Sequence, residues 1–230
     1  MIVYTAILGK AEKLYEPLKP GGHKFVCFTD QPIRSKNWEI RRPEVDHEGR
    51  LAARWHKLHP HILFPDALES IWIDANMQLL ADPERVVIKA RGHEMVGLVH
   101  PKNDTIEDEA AQINASLKIP MEILNDMIAR YRDRGFKAEE HRTVTSTGFL
   151  YRRHTPAMRI FHEIWWQEVL CCVRDQMSVD FAAKMAGITI RHFAWHFRNC
   201  EFFQYYTHEG MKAKIRPKNL TIKYGRTFLR

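Results

Sequence analysis

Apolar residues recur along this chain in two rhythms. Short continuous runs occur at Ile2 to Leu8, Lys24 to Thr29, Ser70 to Ile73, Glu94 to His100 and Thr143 to Tyr151. Runs of that length, rich in β-branched and aromatic residues, predict buried strands, and Trp38 to Arg41 reads as a shorter one before Pro43. Between them the apolar positions take helical spacing. Leu51, Trp55, Leu58 and Ile62 predict the core-facing stripe of a helix that starts near Gly49 and is divided by Pro60. Further helices are expected over Asp104 to Leu117, with Thr105 and Asp108 as a capping box, and over Pro120 to Arg132, with Gly135 closing the turn. Another covers Pro156 to Val173, and a last one runs from Gln176 to Met185 with Asp175 as its N-cap. Gly187 ends that helix and Ile188 to Phe197 resumes as a strand. Strands alternating with helices predict an α/β architecture.

At 230 residues the chain is expected to be one domain with a substantial core. No apolar stretch reaches the roughly 18 residues a membrane span needs. The N-terminus lacks a basic region and reads as a strand, not a signal peptide. Cys27, Cys171, Cys172 and Cys200 show no metal or redox spacing, and the adjacent pair reads as reduced core residues, which places the chain in a reducing cytoplasm. Charge changes the picture more. The net charge is +7, and residues 211–230 hold seven cations and no acid, so the remainder is neutral. A basic segment favours polyanions, either diphosphates or nucleic acid. Leu220, Ile222, Tyr224 and Phe228 interleave with those charges, so part of it is expected to pack.

Candidate chemistry centres on Trp72-Ile73-Asp74-Ala75-Asn76. A carboxylate at the carboxyl end of a strand emerges where open α/β sheets bind ligands. Asp74 and Asn76 lie two apart, so on an extended chain both side chains share a side, and hard oxygen donors suit Mg2+ or Mn2+. The alternative is a turn in which either residue caps a backbone amide. Arg50, Arg54 and Lys57 form a basic stripe on the preceding helix, able to neutralise a pyrophosphate or simply to face solvent. Asp175-Gln176 offers a carboxylate for general-base or sugar-orienting work, or a plain helix cap. His192 and His196 share a strand face, and His208 could complete the coordination of a divalent ion. No G-x-G-x-x-G, G-x-x-x-x-G-K-[ST] or G-x-S-x-G occurs, which removes Rossmann, P-loop and hydrolase-elbow chemistry.

Taken in order, Val3 to Ile7, Cys27-Phe28-Thr29-Asp30, Arg50 to Lys57, Leu63-Phe64-Pro65, Ser70 to Asn76, His100-Pro101, Glu109-Ala110 and Arg174 to Ser178 resemble one family over roughly residues 2–185. It is the glycosyltransferase-like family once known only as a domain of unknown function, with plant members implicated in cell-wall and mucilage polysaccharides. The resemblance implies a GT-A-type fold, a three-layer α/β/α sandwich around a mostly parallel sheet. It implies a nucleotide- and metal-binding half to about residue 100, an acceptor-side half to about 210, and the basic segment beyond. Thr5, Ala6 and Asp30 would hold the nucleoside, with Arg50, Arg54 and Lys57 on the phosphates. Asp74 and Asn76 would hold Mn2+ or Mg2+, with His208 the separate candidate for a further ligand, and Asp175 with Gln176 would lie by the transferred sugar. Ser146-Thr147-Gly148-Phe149 resembles the acceptor-side strand of related retaining enzymes. Asn76 departs from a strict Asp-x-Asp, and Ala75 replaces a glycine. Without the long anchored region of the plant proteins, a soluble microbial or phage version is expected.

The leading expectation is a metal-assisted glycosyltransferase using a nucleotide-sugar, a UDP-sugar first, on an acceptor hydroxyl that could be a hydroxylated base of phage DNA. The alternatives are a glycosyltransferase acting on polysaccharide or protein, and a non-catalytic nucleic-acid-binding protein on the same fold. A metal-dependent hydrolase ranks last, because too few carboxylates cluster in the sequence.

Overall fold

The computed structural model describes residues 1–9, 12–116, 118–137, 143–193 and 200–207. In chain order its strands are β1 (Ile2–Ile7), β2 (Lys24–Thr29), β3 (Trp38–Arg41), β4 (Glu69–Ile73), β5 (Met77–Leu79), β6 (Met95–Val99), β7 (Thr145–Arg153), β8 (Ile190–Phe193) and β9 (Phe203–Tyr205). Its helices are α1 (Gly49–Leu58), α2 (Pro60–Leu63), α3 (Glu84–Ala90), α4 (Ile106–Ala115), α5 (Met121–Asp133), α6 (Pro156–Cys171) and α7 (Val179–Met185). Seven strands form one sheet in the order β3-β2-β1-β4-β7-β6-β8, while β5 and β9 pair separately. Neighbours β3, β2, β1 and β4 are parallel, as are β6 and β8, and β7 runs antiparallel to both β4 and β6.

The continuous apolar strands are what a sheet covered on both faces requires. In β1, Val3 and Ile7 point to one face, where Val86 and Ala90 of α3 and the paired segment around Phe202 and Phe203 close the core. Tyr4 and Ala6 point to the other, against Leu58 of α1, Met158, Phe161 and Trp165 of α6, and Val179 of α7. A third cluster joins α4 and α5 to α7, with Tyr131 stacked on Phe181 at 3.7 Å between ring centroids. The architecture is therefore a mostly parallel sheet with flanking helices.

Local signals held where they were self-contained. Thr105 and Asp108 form the reciprocal capping box of α4 and Pro60 separates α1 from α2, while the Thr155 cap of α6 was not anticipated. The differences have physical reasons. The helical phase restarts at Pro60, so Ile62 leaves the apolar stripe and is 50% exposed. Gln176 to Met185 is not one helix: a 3-10 turn, Asp175–Met177, precedes α7, and Asp175 makes no side-chain cap. Cys171 is exposed, not core, while Cys172 is buried. The elements β5, α3 and β9 were not anticipated. His196, His208 and the basic segment 211–230 lie outside the described residues. Among those described, no helix is long and apolar enough to cross a membrane.

The chain leaves β1 toward β2 and β3 on one side and returns to β4 on the other. That reversal opens a crevice at the carboxyl ends of β1 and β4, the place where such sheets bind ligands.

Burial lowers the imidazoles of His154 and His192 to about 4 and that of His162 well below the ordinary 6.5, with Arg152 adding to the effect at His154 and His162. The folded protein resists protons that the unfolded chain accepts, so stability is full above 6.5 and falls as the pH drops toward about 4. Asp180, raised to about 6 by burial, works in the opposite sense but is outnumbered, since burial lowers His56, His59 and His61 as well. Melting temperature measured from about pH 7 to about pH 4.5 is expected to decline, and less steeply for His162→Phe. A flat profile for both proteins would contradict this account.

Candidate active site

The site begins with the end of α1. Pro60 has no N–H, the helix stops at Leu58, and its last turns bury Lys57 and leave Arg54 partly exposed beside it. Lys57 Nζ is 2.6 Å from Asp175 Oδ2 and 3.5 Å from Asp74 Oδ1, and it lies 5.5 Å from the centroid of the Trp72 ring. Arg54 Nε approaches Asp175 Oδ1 at 2.8 Å as an ion contact, its N–H not aligned on the oxygen. Thr147 of β7 donates to Asp175 Oδ2 at 2.8 Å, and Trp165 Nε1 donates to the Asp175 carbonyl at 2.9 Å. Both carboxylate oxygens are thus occupied, and the side chain is 5% exposed.

Asp74 behaves differently. The chain turns there instead of staying extended, with Met77 N–H donating to the Asp74 carbonyl at 2.9 Å. Asp74 N–H donates to Gly148 O at 2.8 Å, the last rung shared with β7, and the turn ends β4 immediately after it. Asp74 and Asn76 accordingly do not share a side by strand alternation. Trp72 Nε1 donates to Asp74 Oδ1 at 2.8 Å, and the carboxylate stays 38% exposed. A Cβ on Gly148 would come 3.2 Å from Asp74 Oδ2, so the glycine leaves that oxygen its room.

The charges explain one another. Burial alone would raise the Asp175 carboxyl, but Arg54 and Lys57 outweigh it and hold it far below the usual range. Burial lowers the Lys57 ammonium, and Asp175 and Asp74 oppose that. We take the group as ionised, two cations on one buried carboxylate with Asp74 as the outer partner.

Of the residues expected to act together, the fold joins Arg54, Lys57, Asp74 and Asp175. Arg50 stands exposed one turn earlier on α1. Lys57 is 1% exposed, so its ammonium faces the two carboxylates and not an open phosphate site. Gln176 lines a separate small cavity with Asp180 and Ile106. Thr5 and Ala6 lie inside β1, and the strand-end cavity of about 590 Å³ is lined by Leu8 and Gly9 instead, with Asp30, Glu48 and Gly49. Asp30 Oδ2 accepts from Gly9 N–H at 3.0 Å, and Gly9, at φ +82°, would place a Cβ 2.9 Å from Gly49 Cα. The close passage of two backbones there had no signal in the sequence beyond the glycines themselves. Thr147 was likewise missed as an Asp175 partner, since strand pairing over a long loop brings it there. Among the described residues no group of three or more His, Cys, Asp and Glu side chains could hold a metal by itself.

An α/β protein with a charged site at the switch point of its sheet is the class these observations define. A family model described as "TOD1/MUCI70, glycosyltransferase-like domain" matches residues 42–209, and the chain belongs to that family. By that description it is a glycosyltransferase-like domain. Among solved structures the chain is similar to an apo structure of the bifunctional glycosyltransferase WbbM, at 9% identity and TM-score 0.45, covering 78% of this chain and 37% of that one. It is also similar to mouse xyloside xylosyltransferase 1 in its apo form, at 8% identity and TM-score 0.48, covering 86% and 87% of the two chains. No curated protein matches.

The two carboxylates should respond unequally to neutralisation. Asp175→Asn leaves two cations unpaired at a buried position and should cost about 3–5 kcal/mol in urea unfolding. Asp74→Asn, at a half-exposed position, should cost less than about 1 kcal/mol. Equal small losses would show that Lys57 does not depend on Asp175.

Proposed function

We propose that the chain transfers a sugar from a nucleotide-sugar donor to an acceptor hydroxyl, with Mn2+ or Mg2+ shared between Asp74 and the donor diphosphate. The observation that carries this reading is the half-exposed Asp74 carboxylate fixed at the switch point beside the partly exposed Arg54. A protein-only cage is absent among the described residues, which suits Mg2+-type ions, since these are bound by one or two carboxylates plus substrate phosphates. Asp74 with Asn76 would hold the ion, which when bound would neutralise charge on the departing diphosphate. Arg54, with 19% of its side chain exposed, would meet the phosphates from the helix side. Lys57 works from within, holding Asp74 and Asp175 at fixed separation. Asp175, ionised and fully engaged, is assigned the positioning of both cations and not the role of general base. The nucleoside would occupy the cavity at Leu8, Gly9 and Asp30, a UDP-sugar being the donor to test first.

The seven cations of residues 211–230 support a polyanionic acceptor, such as a hydroxylated base in phage DNA. The acceptor KM should then rise with salt, and a salt-insensitive KM would count against nucleic acid.

Donor turnover with Mn2+, measured for each nucleotide-sugar class, should fall by about 100-fold or more in Asp74→Ala with loss of its metal dependence. Turnover that keeps its metal dependence without Asp74 would defeat the assignment.

A further inference from the structure

We infer that Arg152 is a positioning residue that acts through Lys57, resting on the reading of the active site above. Arg152 lies on β7 with no solvent exposure, and among the described residues no carboxylate pairs with it. Its partners are neutral oxygens. Nη1 donates to the Lys57 carbonyl at 2.8 Å, Nη2 donates to the Tyr4 hydroxyl, and Tyr4 in turn donates to the same Lys57 carbonyl at 2.9 Å. Nε has no partner. On its other side stand imidazoles: His162 Nε2 is 3.5 Å from Nη1, and His162 contacts His61 at 3.0 Å.

A buried guanidinium without a carboxylate is disfavoured, so its place calls for a reason. The helix break at Pro60 supplies one. The last carbonyls of any helix lack intrahelical donors, and a cation beside them is favoured by the helix dipole. Here the orphan carbonyl belongs to the residue whose ammonium bridges Asp74 and Asp175. Two donors from two different strands, β1 and β7, therefore fix the backbone of Lys57 against the sheet that carries Asp74. The guanidinium sets the position of Lys57 Nζ from behind, and so the position of the exposed Asp74 carboxylate. Small displacements of such groups cost about 10- to 100-fold in function.

The test uses Arg152→Met, Lys57→Met and the double variant, with two readouts. The first needs no ligand: the indole N–H cross-peak of Trp72, assigned by Trp72→Phe, reports the Asp74 hydrogen bond and the nearby ammonium. The second is the calorimetric Kd, with Mn2+, for whichever of UDP, GDP, CDP and ADP binds the wild type. Arg152→Met should shift the Trp72 peak as Lys57→Met does and weaken nucleotide binding about 10-fold, and the double variant should be no weaker than Lys57→Met alone. Arg152→Lys should recover part of both effects. Tyr4→Phe, which removes one donor to the same carbonyl, gives the same test should Arg152→Met not fold. A lowered melting temperature with an unmoved Trp72 peak, or additive losses in the double variant, would overturn the inference. Failure of every nucleotide to bind the wild type would instead defeat the donor-site reading, and the Trp72 peak would still decide the role of Arg152.

Discussion

An ammonium group buried between two carboxylates is the constraint on which the rest of this structure depends. Lys57 leaves water only because Asp175 lies 2.6 Å away and Asp74 closes the outer side. Three separate elements must therefore meet at one point: the last turn of α1, the end of β4 and the turn before α7. Helix α1 ends where it does because Pro60 cannot continue it, and β4 ends where it does because the chain turns at Asp74, whose carbonyl accepts from Met77 N–H. The position of β7 between β4 and β6 then brings Thr147 to Asp175 from the sheet side.

Environment divides the labour between the carboxylates. Asp175 has both oxygens engaged and is shielded from solvent, whereas Asp74 keeps one oxygen beside the space that Gly148 leaves open. Two carboxylates around one lysine, one inner and one outer, are a recurrent way to give identical groups different tasks.

Much of this was legible in the residues. The run into Asp74 was read as a strand, and β4 ends one residue before it. Arg54 and Lys57 were read as a stripe looking over that end, and the helix does present them there. Other features depended on partners distant in sequence. Asp175 resembles an N-cap to any local reading, and only packing against α1 shows why its carboxylate faces inward. For Asp74 and Asn76 the residues left an extended chain and a turn both open, and the structure has the turn, just after a rung supplied by Gly148 over 70 residues on. The strands β5 and β9 are three residues each, too short for a periodic signal, and exist through mutual pairing.

The most direct measurement is an anomalous difference map at the manganese edge from crystals soaked with Mn2+ and the bound nucleoside diphosphate. The account predicts one strong peak in coordination contact with the Asp74 carboxylate, with the phosphates reaching Arg54 and the Lys57 ammonium still paired with Asp175. A manganese peak away from Asp74, or a diphosphate seated elsewhere on the sheet, would contradict it.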